Sequence, residues 1–280
     1  MRISHQMLHQ NSMANMNNSM GRFQKAYNEA LTGKQVSKPS DDPHGAAKAM
    51  ELKSALATNE QYERNTGEAK LWLDETDQTV YEMVNVMQRV RELAVRGNNE
   101  TLSPEDRLTV SNEVKELTDQ LRQFANTKVN GADLFTKAVV GAEGVSTSTA
   151  KSITVGGGMT IPVNVTEKEL LGENAKLLTD LEGLTTGLDN GTAMDLDLID
   201  DGINRLLKAS SDVGARMNRV ESAENRMFDN TIQLKSMLSS ITDIDVAEAI
   251  TKLKSEESVY QASLAASAKI IQPSLMDFLR

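Results

Sequence analysis

The chain of 280 residues contains no cysteine, which removes disulfide scaffolds, zinc ribbons and thiol catalysis together and makes it equally compatible with reducing and oxidising compartments. Aromatic residues are only 4% of the total, so the side chains that bury the most area apiece are scarce and one large core is not expected. Positive charge is in deficit. With 30 Lys and Arg against 40 Asp and Glu, the net charge of −10 offers no electrostatic source of affinity for nucleic-acid phosphates or anionic lipid. No apolar run approaches the ~18 residues that a membrane-spanning helix needs. Residues 1–30 lack an apolar stretch followed by a small-residue cleavage site, so a cleaved secretory signal is not expected. The HExxH and GxSxG signatures of metalloproteases and serine hydrolases are missing as well.

What is present is helical periodicity at both ends of the chain. Met13, Met16, Met20, Phe23, Tyr27 and Ala30 follow one another in steps of three and four, the spacing of a single helix face, and Gly33 stops the pattern. Residues 32–43, TGKQVSKPSDDP, hold two prolines, a glycine and two serines and read as a loop. Helix resumes after Pro43, and Val80, Met83, Met87, Val90 and Ala94 form the next stripe, closed by Gly97-Asn98-Asn99. Ser103-Pro104-Glu105-Asp106 then supplies a cap, a first-turn proline and two acids at the positive end of a helix carrying Val110, Val114, Leu117, Leu121 and Phe124. Residues 136–192 differ in kind. Gly156-Gly157-Gly158 and the alternation from Thr160 to Val165 predict short strands in an exposed insertion. Helical signal returns with Ile199, Leu206, Val213, Val220, Met227, Leu234 and Ile241 at successive seven-residue steps, a core seam. A last helix carries Val246, Ile250, Leu253, Tyr260, Leu264 and Ile271 before Pro273, with Glu257 the charged residue in its stripe.

The fold class these patterns predict is mainly α: a long antiparallel helical rod, a coiled-coil-like bundle, with a small β-rich middle insertion. Five segments follow: 1–42 and 243–280 as an inner assembly domain, 43–135 and 193–242 as the two halves of a helical core, and 136–192 as an outward β-rich insertion.

Few residues carry chemistry. His5 and His9 share a helix face at a spacing metal sites use, yet His44 is the remaining histidine and no third ligand is in register, so they read as exposed polar positions. Asp195–Asp201 looks calcium-like, but setting Gly202 at loop position 6 places Lys208 where a ligating carboxylate is required. The triple glycine lacks the following Lys-Ser/Thr of a phosphate loop. No catalytic, cofactor-binding or metal-binding residues are assigned, and no enzyme is expected. The terminal stripes carry the functional reading instead. Met7, Met13, Met16 and Met20 crowd one end helix, and methionine suits surfaces that repack against unlike partners. Together with Phe23, Tyr27, Ile250, Leu253, Tyr260, Leu264 and Ile271 they form the candidate assembly interface. Such helices are marginal alone, and nothing else in the chain offers them a partner, so ordering on association is expected.

Six segments, in order, resemble the flagellin family: the start MRIS, LTGKQVSKPSDDP (Leu31 to Pro43), MQRVRELAVRGNNETLSPEDR (Met87 to Arg107), FANTKVNGADLF (Phe124 to Phe135), GARMNRVE (Gly214 to Glu221) and VYQASLAASAKIIQPSLMDFLR (Val259 to Arg280). Pro39 and Pro43 within KPSDDP, Trp72 in LWLD and the ending with Pro273 look like the hook–filament junction members of that family more than its filament subunits. The resemblance implies a helical core, a small β domain pointing outward and terminal helices that pair in an inner tube. It implies a structural adaptor between hook and filament, with filament flagellin as the alternative. The implied partners are further copies of the chain, a hook-associated protein on the hook side, flagellin on the filament side and an export chaperone on the C-terminal helix, with no nucleic acid, membrane or cofactor. The implied location is extracellular, reached through the flagellar type III apparatus.

Overall fold

The computed structural model describes residues 2–99, 102–136, 139–140, 146–147 and 151–278. Seven helices and eight short strands are found among them. Helix α1 (Arg2–Thr32) ends where Gly33 takes a φ of 67°, a left-handed conformation that other residues adopt at a cost. Helix α2 (Pro43–Gly97) begins on its proline, and α3 (Pro104–Ala125) begins on the Ser103 cap, whose hydroxyl accepts from the Asp106 amide. Strands β1 (Lys128–Val129) and β2 (Ala132–Asp133) form a hairpin around Asn130-Gly131, both at positive φ, the arrangement of a two-residue primed turn.

The strand region opens and closes at one place. Strand β3 (Phe135–Thr136) pairs in parallel with β8 (Val165–Thr166). Between them lie the antiparallel pairs β4 (Val139–Val140) with β5 (Ser146–Thr147), and β6 (Ser152–Gly156) with β7 (Met159–Pro162), the latter turning through Gly157-Gly158 as the glycine run predicts. Thr166 and Glu169 form a reciprocal capping box for the one-turn helix α4 (Glu167–Leu171). Then comes α5 (Lys176–Asp189), followed by the 47-residue α6 (Leu196–Thr242) and by α7 (Val246–Phe278), which runs on through Pro273.

The chain is therefore mainly helical with a small strand-containing middle, but 136–192 is not β-rich throughout. Its second half is α5, with Leu177, Leu181 and Leu188 buried and its polar edge held to α3 by Lys115–Asp189 at 2.8 Å and by Arg122–Glu182. The Thr and Gly content of the segment masks a plain helical spacing of leucines.

Contacts divide the chain into two compact units, Met1–Ala57 with Thr231–Arg280, and Thr58–Asn230. The sequence puts its boundaries at the loops; the division instead falls inside α2 and α6, since a continuous helix can pass from one packing environment into another. The second unit holds one continuous core. Val80, Met83, Met87, Val90 and Ala94 of α2, Val114 and Leu121 of α3, and Ile199, Leu206 and Val213 of α6 are fully buried in it and Val220 nearly so, and Met227 of α6 is buried in the same unit. Helices α2 and α6 run antiparallel there, with Arg91 to Asp200 at 2.5 Å near one end and the Asn59 amide donating to Met227 O at 2.8 Å near the other. The strand region belongs to the same core: Val155 of β6, Ile161 of β7 and Val163 just after it are as buried as the helical stripes.

Polar side chains pin this core by satisfying backbone groups. Asn98 donates to Met194 O at 2.8 Å and accepts from Met194 N at 2.6 Å, holding the loop before α6 against the end of α2. Asn164 accepts from Lys151 N at 2.8 Å and donates to Thr136, while its carbonyl accepts from Arg216 at 2.8 Å. Trp72 is buried beneath Lys151, whose ammonium sits 4.1 Å from the ring centroid and 3.1 Å from Glu68.

Candidate assembly interface on the terminal helix pair

In the first unit α1 and α7 lie side by side and antiparallel. Ser12 meets Ser267 at 2.8 Å, Arg22 meets Glu256 at 3.2 Å and Lys252 meets Glu29 at 2.9 Å, so the paired residue numbers fall on one helix as they rise on the other. The end helices thus have an intramolecular partner, each other, where the residue pattern by itself offers none. Phe23 and Tyr260 stack across the seam with centroids 5.8 Å apart and rings within 8° of parallel, and Tyr27 leans against Phe23 at 6.3 Å.

The residues that face across are Ser12, Met16, Ser19, Phe23, Ala26 and Ala30 on α1, and Ala249, Leu253, Glu256, Tyr260, Ser263 and Ser267 on α7, all buried or half-buried. These are heptad positions a and d on both helices. The apolar stripes of the sequence miss seven of the twelve, because Ser12, Ser19, Ala26, Ala249, Ser263 and Ser267 are small and Glu256 is charged. Their seven-residue spacing was the available signal: small side chains bring the two helices close enough for Ser12 to meet Ser267 and Ser19 to meet Ser263.

The two flanks of the seam differ. On one, the g side, stand Arg22, Glu29 and Lys252 with one exposed apolar residue, Val259; Glu29 is 8% exposed, its carboxylate held by Lys252 and, at 4.0 Å, by Lys25. On the other, the e side, stand Met13, Met20 and Tyr27 of α1 and Ile250 and Leu264 of α7, interrupted by Glu257. In an antiparallel pair the e positions of both helices border the same side, as the g–g contact of Glu29 with Lys252 requires. Those five apolar side chains are 41–51% exposed, a stripe two helices wide that no described residue covers.

The predicted interface residues therefore separate. Met16, Phe23, Leu253 and Tyr260 lie in the intramolecular seam; Met13, Met20, Tyr27, Ile250 and Leu264 lie on the open flank; Met7 is exposed nearly two turns nearer the N-terminus than Met13, on a third face. Ile271 is in α7, but its side chain is outside the described residues. On α6 the seam residues Ile199 to Met227 are buried in the second unit, and Leu234 and Ile241, in the first, are half-buried.

The α6–α7 turn is tied to the end of α1. Gln35 N donates to Thr242 O at 2.8 Å and Ile244 N to Gly33 O at 3.2 Å, a two-bond bridge that fixes where α7 starts relative to α1. Hydrogen bonds from Ser239 and Thr242, helped by the charge of Lys34, hold the Asp243 carboxyl below the usual aspartate range. Asp245 caps α7 by accepting from Ala247 N at 2.8 Å. Among the described residues no group of three His, Asp or Glu is arranged to hold a metal, and no helix is long and apolar enough to cross a membrane.

Comparison with known proteins gives this architecture a family. The chain is 25% identical to flagellar hook-associated protein 3 of Escherichia coli, over 95% of this chain and 96% of that one, and 27% identical to the protein of that name from Salmonella typhimurium, over 94% and 95%. A flagellin of Halalkalibacterium halodurans is 23% identical over 96% of both. Among solved structures, a flagellar hook-associated protein of Vibrio parahaemolyticus superposes with a TM-score of 0.64 at 21% identity, covering 72% of this chain and all of that one. Hook-associated protein 3 of Legionella pneumophila gives 0.61 at 16% identity, covering 69% and 98%. The family model of the bacterial flagellin N-terminal helical region matches residues 3–139, and that of the C-terminal helical region matches 196–279. The two matches contain the paired terminal helices and both long helices of the core, and the chain belongs to the flagellin family.

Proposed function

We propose that this chain is a structural adaptor of the bacterial flagellum, joining the hook to the flagellin filament and assembling through the open flank of its terminal helix pair. The observation that carries the reading is the asymmetry of that pair: ion pairs line one flank, while Met13, Met20, Tyr27, Ile250 and Leu264 stand half-exposed on the other. Completing their burial against neighbouring subunits would contribute about 1 kcal/mol per side chain, repeated at every contact. The relatives over nearly the full length that bear the name hook-associated protein 3 support the junction over a filament subunit. Its partners are then copies of itself, a hook-associated protein on the hook side, flagellin on the filament side and an export chaperone on α7, with export through the flagellar type III apparatus to an extracellular site. The role needs neither cofactor nor catalysis.

Leu264→Asp tests this. Leu264 is exposed in the isolated chain, so the variant should unfold at nearly the parent temperature by circular dichroism, yet fail to restore motility to a strain lacking the chain, because assembly would bury an unpaired carboxylate. Full motility would remove the flank from the interface. A large fall in melting temperature would place Leu264 inside the fold.

A further inference from the structure

We infer that Met13 and Met20 are oxidation sites through which peroxide blocks assembly of this chain, an inference that rests on the open flank being the assembly surface. Both thioethers stand on that flank, 41% and 42% exposed, Met20 between the levels of Leu264 and Tyr27 and Met13 on the far side of Leu264. Peroxide transfers one oxygen atom to the sulfur: the O–O bond breaks, an S=O bond forms, methionine becomes its sulfoxide and hydrogen peroxide is reduced to water. The product is polar, so a side chain meant for a dry contact brings an oxygen that needs a hydrogen-bond donor there. The one donor among the described residues of the stripe is the Tyr27 hydroxyl, seven residues or about two turns along α1 from Met20 and twice that from Met13. Ile250 and Leu264 offer none, and the Glu257 carboxylate, paired to Lys254 at 2.9 Å, only accepts. Leucine would give the same apolar area without this sensitivity, and α7 uses it at the matching position.

The molecule carries its own controls. Met50 and Met237, 60% and 54% exposed, are at least as accessible but lie on α2 and α6, outside the α1–α7 pair; Met83 and Met87 are fully buried in the second unit. The experiment treats the purified full-length chain with hydrogen peroxide, maps sulfoxides by peptide mass spectrometry, and measures binding to hooks isolated from a strain lacking the chain. Each chain is compared with its own untreated sample. Wild type should acquire sulfoxide at Met13, Met20, Met50 and Met237 before Met83 and Met87, and lose at least tenfold in hook binding. Met50→Leu/Met237→Leu should lose as much on treatment as wild type, whereas Met13→Leu/Met20→Leu should lose less than twofold. Treated wild type that binds undiminished, or a Met13→Leu/Met20→Leu chain as sensitive as wild type, overturns the inference. Failure of the underlying assembly reading shows separately, as undiminished hook binding by untreated Leu264→Asp.

Discussion

Glu29 is the residue on which the helix pair is most exposed to single substitution. Its carboxylate is buried on the g flank and answered by Lys252 at 2.9 Å, with Lys25 farther off at 4.0 Å. Lys252→Ala should therefore weaken the α1–α7 pair by about 1–2 kcal/mol, less than for a fully buried pair because the lysine is itself half in water. Hydrogen exchange of α7 amides reads this; protection equal to wild type would mean that solvent already screens the carboxylate. A double reversal, Glu29→Lys with Lys252→Glu, should recover part of the loss. In the second unit, Arg91 donates to Asp200, and Lys115 with Ser111 to Asp189, so both carboxyls titrate below the usual aspartate range. A carboxyl whose folded value is depressed stabilises the fold above the ordinary aspartate pKa, and that contribution is lost as pH falls through it towards the folded value. Asp200→Asn should thus lower the urea midpoint at neutral pH and shallow its decline on acidification. An unchanged slope would show that the Arg91 contact adds nothing.

At the scale of elements, the strand region is where packing overrode composition. Glycine and threonine between 136 and 192 read as an exposed insertion, yet Val155, Ile161 and Val163 share the core of α2 and α6, and the segment returns beside its own start through the parallel pairing of Phe135 with Val165. Ile161→Ala should cost about 2–4 kcal/mol of stability in urea unfolding, as for a helical core position, because the side chain is fully buried. A cost below ~1 kcal/mol would restore the exposed-insertion reading. Helix α5 was legible in the spacing of Leu177, Leu181, Leu184 and Leu188, since steps of three and four exclude a strand. On α1 the apolar residues from Met13 to Ala30 form one broad stripe in sequence. Packing splits it: Met16, Phe23 and Ala30 turn to α7, and Met13, Met20 and Tyr27 turn away.

For the whole molecule, the question is what the open flank selects. A filament subunit must be complementary to itself through unlimited repeats, whereas an adaptor meets unlike neighbours at its two ends and should add poorly to its own kind in that direction. The concentrated chain seeded with filament fragments should stay unpolymerised, while hooks capped with it should support growth of added flagellin, both visible by electron microscopy. Long filaments of this chain alone would instead make it a filament flagellin.

The amino-acid sequence by itself determined the five long helices, the Ser103 cap and the Gly33 stop, the absence of thiol chemistry and the family, because each of these depends on local spacing or on short strings such as Ser103-Pro104-Glu105-Asp106. It also marked the terminal stripes as the candidate assembly interface. Only the tertiary structure decided which half of each stripe is spent inside the molecule. That choice turns on Ser12, Ser19, Ala26 and Ser263, whose small side chains let α1 and α7 approach on one side and leave Met13, Met20 and Leu264 outside. Small residues leave no hydrophobic signature in a sequence; their effect is the distance between two backbones, which exists only once both helices are in place.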